Sequence, residues 1–259
     1  MKTRVLSVVV LLAIIAACMP WEISRVVFFG VCGSLCVYEY AKCLKGTGIT
    51  ITRWVLFAFI AAMAVLTITH CGMMAYLAWT VFAVFMALFS GILHEDVSGR
   101  GAIYTVSALA YPCLPFAMMM IISVSDRWLE TILLACFSTW MCDAFALFGG
   151  MKFGKNKLAP RVSPNKTVEG ALIGAAFSLI GGLLCRLILK MPLHICLITA
   201  LVSSTLGQIG DLAESLLKRY IGVKDFGNLI PGHGGMFDRA DSLMFSISTA
   251  YFCLYVMGF

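Results

Sequence analysis

Nine of the 32 charged side chains fall within the 31 residues from 211 to 241: Asp211, Glu214, Lys218, Arg219, Lys224, Asp225, Asp238, Arg239 and Asp241. Positions 211, 215 and 218 follow the i, i+4, i+7 rule, so on a helix Asp211, Ser215 and Lys218 share one face. A carboxylate with a hydroxyl one turn on makes a hard-oxygen cation site, and a lysine one turn further can neutralise an anion bound to that cation. The run Pro231-Gly232-His233-Gly234-Gly235 has three glycines and a proline in five residues, which excludes a helix interior. Such a turn lets backbone N–H groups approach phosphate oxygens, and His233 can donate to the same anion or move a proton. Asp238 and Asp241 then stand at i and i+3 at the start of another helix. Capping alone would explain either one. The pair opposed to Asp211 is what a magnesium ion shared with a nucleotide's phosphates requires.

Two further groups lie upstream. Asp143 falls inside an apolar stretch, where an unpaired carboxylate costs about 2.5 to 3.5 kcal/mol near the bilayer centre, so a polar cavity is expected beside it. The loop that follows carries Lys152, Lys155, Lys157 and Arg161, then Ser163-Pro164-Asn165-Lys166-Thr167-Val168-Glu169-Gly170 at the mouth of a helix. A basic loop leading into a helix N-terminus suits a phosphate; topology alone would also place lysines there.

These groups sit on a chain made for lipid. Of 259 residues, 61% are hydrophobic and 12% charged, about half the charged fraction of a soluble domain. The mean hydropathy is +0.96. A span across about 30 Å of hydrocarbon needs about 20 apolar residues, and nine stretches qualify: 5–19, 23–40, 54–69, 73–93, 103–124, 129–150, 168–189, 193–210 and 242–259. The expectation is an all-α polytopic membrane protein of about nine transmembrane helices. With the N-terminus cytosolic, 15 of the 19 Lys and Arg fall on the inner side, as the positive-inside rule asks. The C-terminus is then expected outside and the active site at the cytosolic face; the expected location is a bacterial inner membrane.

No repeat, low-complexity tract or linker divides the chain, so a single membrane domain over 1–259 is expected, with its chemistry concentrated in 143–242. The first residues, with a basic start and Ile15-Ala16-Ala17-Cys18, have the form of a cleaved signal; Pro20 and another span follow at once, and a retained helix is expected. Eleven cysteines contain no Cys-x-x-Cys pair and read as small packing residues.

The run Ser215-x-Leu217-Lys218-Arg219, four residues, Lys224-Asp225-x-Gly227, then Pro231-Gly232-His233-Gly234-Gly235-Met236-x-Asp238-Arg239-x-Asp241 resembles the signature of the phosphatidate cytidylyltransferases, or CDP-diacylglycerol synthases. Asp143 and the 163–170 stretch resemble two further blocks of that family. The likeness covers roughly residue 143 to the C-terminus, while the first four or five spans match only in hydropathy. Ala240 departs from it, where a larger apolar residue is expected.

The resemblance implies that CTP and phosphatidic acid give CDP-diacylglycerol and pyrophosphate, with Mg2+ required and room for a second cation. It implies Asp211 and Asp238 as metal ligands, with Asp241 and Ser215 behind them. Lys218, Arg219, Arg239 and His233 join Asp211 and Asp238 as the catalytic set, and Asp143, Ser163, Lys166, Glu169, Lys224, Asp225, Gly234 and Gly235 line the substrates. Expected partners are CTP, phosphatidic acid and the bilayer, with no nucleic acid and with a homodimer left open. Two other classes remain: a CTP-dependent lipid kinase of the dolichol kinase type, which would release CDP, and a lipid or ion transporter. A transporter would place charges near the midplane of several spans, whereas nearly all of these lie at one face.

Overall fold

The computed structural model describes residues 10, 13–94, 96–229 and 234–259. In chain order the elements are α1 (Glu22–Gly46), α2 (Arg53–Ile68), α3 (Met73–Leu93), α4 (Gly99–Ala108), a π segment (Leu109–Cys113), α5 (Leu114–Ser123), α6 (Trp128–Phe153), β1 (Lys157–Ala159), β2 (Ser163–Thr167), α7 (Val168–Leu189), α8 (Leu193–Ile221) and α9 (Phe237–Val256). Among the described residues, six helices are long and apolar enough to cross a membrane: α1, α3, the composite Gly99–Ser123, α6, α7 and α8. The expectation of a helical membrane protein therefore holds. The count of nine is not reproduced. The first expected span lies partly outside the described residues, α2 has only 16 residues, and α9 opens with Asp238, Arg239 and Asp241.

Three local differences have physical causes. The fifth span breaks at Tyr111 (φ −154, ψ 105), next to Pro112, whose ring and missing N–H disrupt the helical ladder. The 151–167 connection is not all loop. It contains a short antiparallel hairpin in which Lys157 pairs with Thr167 and Ala159 with Ser163. The eighth span does not stop at 210 but runs 29 residues, about 43 Å of helix, so the charges from Asp211 to Arg219 stay in helical register with the apolar part.

The chain forms two compact units. One takes in the described residues up to Ser125 together with Ile221–Arg239. Its core holds Tyr40, Leu44, Leu56, Phe59, Phe116 and Met120. Buried polar groups in it find partners: Thr52 N donates to Thr105 Oγ1 at 3.0 Å and Thr52 Oγ1 to Ser90 Oγ at 2.6 Å. Arg25 donates from Nε to Ser123 O and from a terminal nitrogen to Met19 O, both at 2.8 Å. It thus takes up a carbonyl at the end of α5 that the helix itself cannot satisfy.

The other unit comprises Asp126–Tyr220 and Ala240–Phe259. Leu134, Cys185, Met191, Ile195, Cys196 and Leu254 form one buried cluster in it. None of the eleven cysteines is joined in a disulfide. Here α6 and α7 pack backbone to backbone: a Cβ on Gly174 would stand 2.6 Å from Cys142 O, and one on Gly181 would stand 2.6 Å from the Phe137 carbonyl. Small residues at such a seam let membrane helices approach where no hydrophobic drive between them exists. Gly181→Ala is accordingly expected to destabilise the protein by about 1–3 kcal/mol through overpacking, or roughly 2–12 °C in thermal unfolding in detergent. Gly46→Ala, whose Cβ meets nothing within 4 Å, should leave the midpoint unchanged.

Candidate active site

The second unit gathers acidic groups from two helices. Glycines on α8 let α9 come close: a Cβ on Gly210 would meet the Phe245 ring and stand 2.9 Å from Asp241 O, and one on Gly207 would meet Ser246 Oγ. Thr139 Oγ1 of α6 donates to Ser246 Oγ at 2.7 Å, and Ser246 Oγ donates to Ser203 O of α8 at 3.0 Å, which ties three helices together. In consequence Asp211, Glu214 and Asp241 bring one carboxylate oxygen each within 4.8 Å of one another. Glu214 is fully buried and pairs with Lys218 one turn on. Asp211 pairs with Lys166.

Lys166 reaches Asp211 because of the hairpin. It stands at the end of β2 beside Thr167, which caps α7 by accepting from Gly170 N at 3.1 Å. Glu169 holds the preceding turn in place: its carboxylate accepts from Lys155 N at 3.1 Å and from Asn156 N and Nδ2, the latter at 2.7 Å. The bonds seen at Glu169 are therefore to the loop that presents Lys166.

A cavity of about 560 Å³ borders this group. Asp143, Lys157, Asn165, Lys166, Gln208 and Asp211 give it polar walls, while Leu147, Met151, Leu158 and the small residues Ala146, Gly150 and Ala171 give it apolar ones. The polar surroundings expected around Asp143 are present. Leu147 and Met151 are largely exposed, so the cavity is lined on one side by residues of the lipid-facing kind.

The remaining expected residues are distributed as follows. Ser163 and Ser215 are half-buried and Arg219 is exposed, with its Nε donating to Val162 O at 3.1 Å. Lys224, Asp225 and Arg239 are exposed and belong to the first unit, as do Gly234 and Gly235. Asp238, also in the first unit, is buried; it accepts from Phe226 N at 3.0 Å and Gly235 N at 2.9 Å. His233 lies outside the described residues.

Two members of the second unit's site were not anticipated. Glu214 is one, although it belongs to the charged run 211–241. Gln208 is the other: its Nε2 donates to Cys142 Sγ at 2.9 Å and Ala171 O at 3.2 Å. The available signal was an amide in an apolar span three residues before Asp211, hence on its face.

Three clustered carboxylates with two lysines beside them suit a hard divalent cation bound through oxygen. A cation here would take over the neutralising task that Lys166 and Lys218 perform.

A sequence model described as the cytidylyltransferase family matches residues 2–257. The chain belongs to that family. Among individual relatives, a phosphatidate cytidylyltransferase of Bacillus subtilis is 46% identical over 129 residues, covering 49% of this chain and 48% of that protein. One of Staphylococcus saprophyticus is 40% identical over 154 residues, 56% of this chain and 55% of the other. One of Brucella abortus is 31% identical over 255 residues, 97% and 92% respectively. The chain thus spans about half the length of the first two relatives and most of the third. A divalent cation at the carboxylate cluster would be detected with Mn2+, by loss of the free-ion resonance signal. Asp211→Asn and Glu214→Gln should each weaken Mn2+ binding roughly ten- to hundredfold, as for a lost charge-assisted contact; unchanged affinity would remove that residue from the cation site.

Proposed function

We infer that this chain is a phosphatidate cytidylyltransferase, an integral membrane enzyme that converts CTP and phosphatidic acid into CDP-diacylglycerol and pyrophosphate. The observation that carries the reading is the carboxylate cluster of Asp211, Glu214 and Asp241 beside a half-polar, half-apolar cavity, in a chain of the cytidylyltransferase family. An oxygen of the lipid phosphate bonds to the α-phosphorus of CTP as the bond from that phosphorus to the bridging oxygen breaks, and pyrophosphate leaves with the electron pair. Both reactants are polyanions, so the protein's task is alignment and neutralisation of charge. No strong general base is needed, because a phosphate monoester is already mostly dianionic above its second pKa of about 6.

Asp211, Glu214 and Asp241 would hold Mg2+, with Asp238 and Ser215 as further candidates. When bound, the cation neutralises phosphate oxygens and favours departure of pyrophosphate. Lys166, at the cavity, holds the lipid phosphate, and Lys218, Arg219, Lys224 and Arg239 hold the phosphates of CTP, with His233 and Gly234 shaping the nucleotide turn. The distribution of Lys and Arg supports a cytosolic N-terminus, an outer C-terminus and a cytosolic site in the inner membrane. Purified protein given CTP, phosphatidic acid and Mg2+ should release pyrophosphate. Release of CDP would instead indicate a kinase, and no turnover of CTP would remove the enzymatic reading.

The two polyanions should also be separable by mutation. Lys166 lines the cavity that Leu147 and Met151 border, whereas Arg219 is not among its lining residues. Lys166→Ala is expected to raise the KM for phosphatidic acid more than that for CTP, and Arg219→Ala to do the reverse. Each loss should amount to about 1.5–3 kcal/mol, or roughly ten- to hundredfold in kcat/KM. Equal effects on both substrates would replace two phosphate sites with one shared cradle.

A further inference from the structure

Glu39 lies on α1 with 3% of its surface exposed, far in sequence from everything its carboxylate touches. Oε1 accepts from Met236 N at 3.0 Å and Oε2 from Phe237 N at 2.9 Å. These N–H groups open α9, where donors have no partner within the helix and where the helix dipole favours an anion. Such a cap ordinarily comes from the residues just before the helix. Here it comes from another helix altogether.

The glycines around it show how tightly it is held. Gly234 has φ 86, a backbone need for glycine, but Gly227 and Gly235 are not at positive φ. What they avoid is Glu39. A Cβ on Gly235 would stand 2.5 Å from Oε2 and 2.7 Å from Oε1, and one on Gly227 would overlap Oε1 and lie 2.6 Å from Cδ. The residues around Glu39 on α1 grip the same segment: Cys43 Sγ donates to Phe226 O at 3.1 Å, and the Tyr40 ring lies 6.0 Å from Phe226 and 6.2 Å from Phe237. Asp238 completes the lacing by accepting from Phe226 N and Gly235 N.

We propose that Glu39 is a positioning residue for nucleotidyl transfer: from α1 it fixes the first residues of α9, and with them the backbone that carries Asp238 and Arg239. The proposal rests on the function inferred above and gives the N-terminal half of the chain a part in it. Glu39 itself touches no reacting atom. Gly227 and Gly235 are glycine because this carboxylate occupies the space where their side chains would be.

The test uses the full-length protein in lipid-supplemented detergent, with Glu39→Ala, Gly227→Ala and the double variant. Glu39→Ala should lower kcat/KM for CTP roughly ten- to hundredfold, with the KM for phosphatidic acid within about threefold of wild type. Gly227→Ala should be impaired because its methyl group meets the carboxylate. In the double variant that conflict is gone, so it should be no worse than Glu39→Ala alone. Losses that multiply in the double variant, or a loss shared equally by both substrates, would overturn the proposal. A second readout needs no activity. Amide hydrogen exchange across residues 234–240 should speed up in Glu39→Ala while residues 168–189 keep their protection, because the lost bonds are local. Unchanged exchange at 234–240, or a rise spread over the whole chain, would sink Glu39 as a positioning residue even with an active wild type. Failure of the wild type to cytidylylate the lipid would sink the functional reading while leaving exchange to judge Glu39.

Discussion

Three carboxylates held within 4.8 Å of one another repel, and the second unit must keep them together. At an effective dielectric constant of about 20, each like-charged pair at that separation costs about 3–4 kcal/mol. The cluster is sustained by Lys166 on Asp211 and Lys218 on the buried Glu214. Each lysine comes from a different source, one from the β hairpin and one from the next turn of α8. The hairpin, the cap at Thr167 and the turn bonded to Glu169 make sense as supports for the first; the unbroken 29-residue α8 makes sense as the support for the second.

Assembling charge in a helical membrane protein also demands close, satisfied contacts elsewhere, because unpaired polar groups in hydrocarbon cost several kcal/mol each. The hydroxyls of Thr139 and Ser246 meet this by passing hydrogen bonds from α6 through α9 to the α8 backbone. Gly207 and Gly210 let α9 close enough for that chain of bonds, and for Asp241 to join Asp211 and Glu214. The first unit solves a related problem differently, spending two buried carboxylates, Glu39 and Asp238, on backbone N–H groups around the start of α9.

Much of this was legible in the sequence, for identifiable reasons. Apolar runs report membrane helices well, since only helices and closed barrels satisfy their backbone there. The spacing of Asp211, Ser215 and Lys218 placed chemistry on one face of α8, and Asp143 announced a polar cavity. What stayed hidden depends on contacts remote in sequence. Nothing near position 39 signals that its carboxylate meets residues 236 and 237. Gly235 reads in sequence as part of a turn open to phosphate, and nothing in the sequence shows that the Cβ directions of Gly227 and Gly235 are filled by Glu39. Glu214 stands in the sequence as one charge of the 211–241 run, with no local signal that it is fully buried. The apolar run marks the eighth span only to 210, whereas the helix itself continues through the charged positions 211–219, as their shared face required.

The seam between α6 and α7 has one more consequence. Where side chains interdigitate, two helices can slide by changing rotamers, but at Gly174 and Gly181 the facing surfaces are peptide groups with no torsion to adjust. Sliding one of these helices past the other would therefore need the backbone itself to move. Enlarging or narrowing the space beside Asp143 falls to the elements that line it from elsewhere, α8 through Gln208 and the hairpin through Lys157 and Lys166, while the paired helices serve as the fixed wall against which that space is measured.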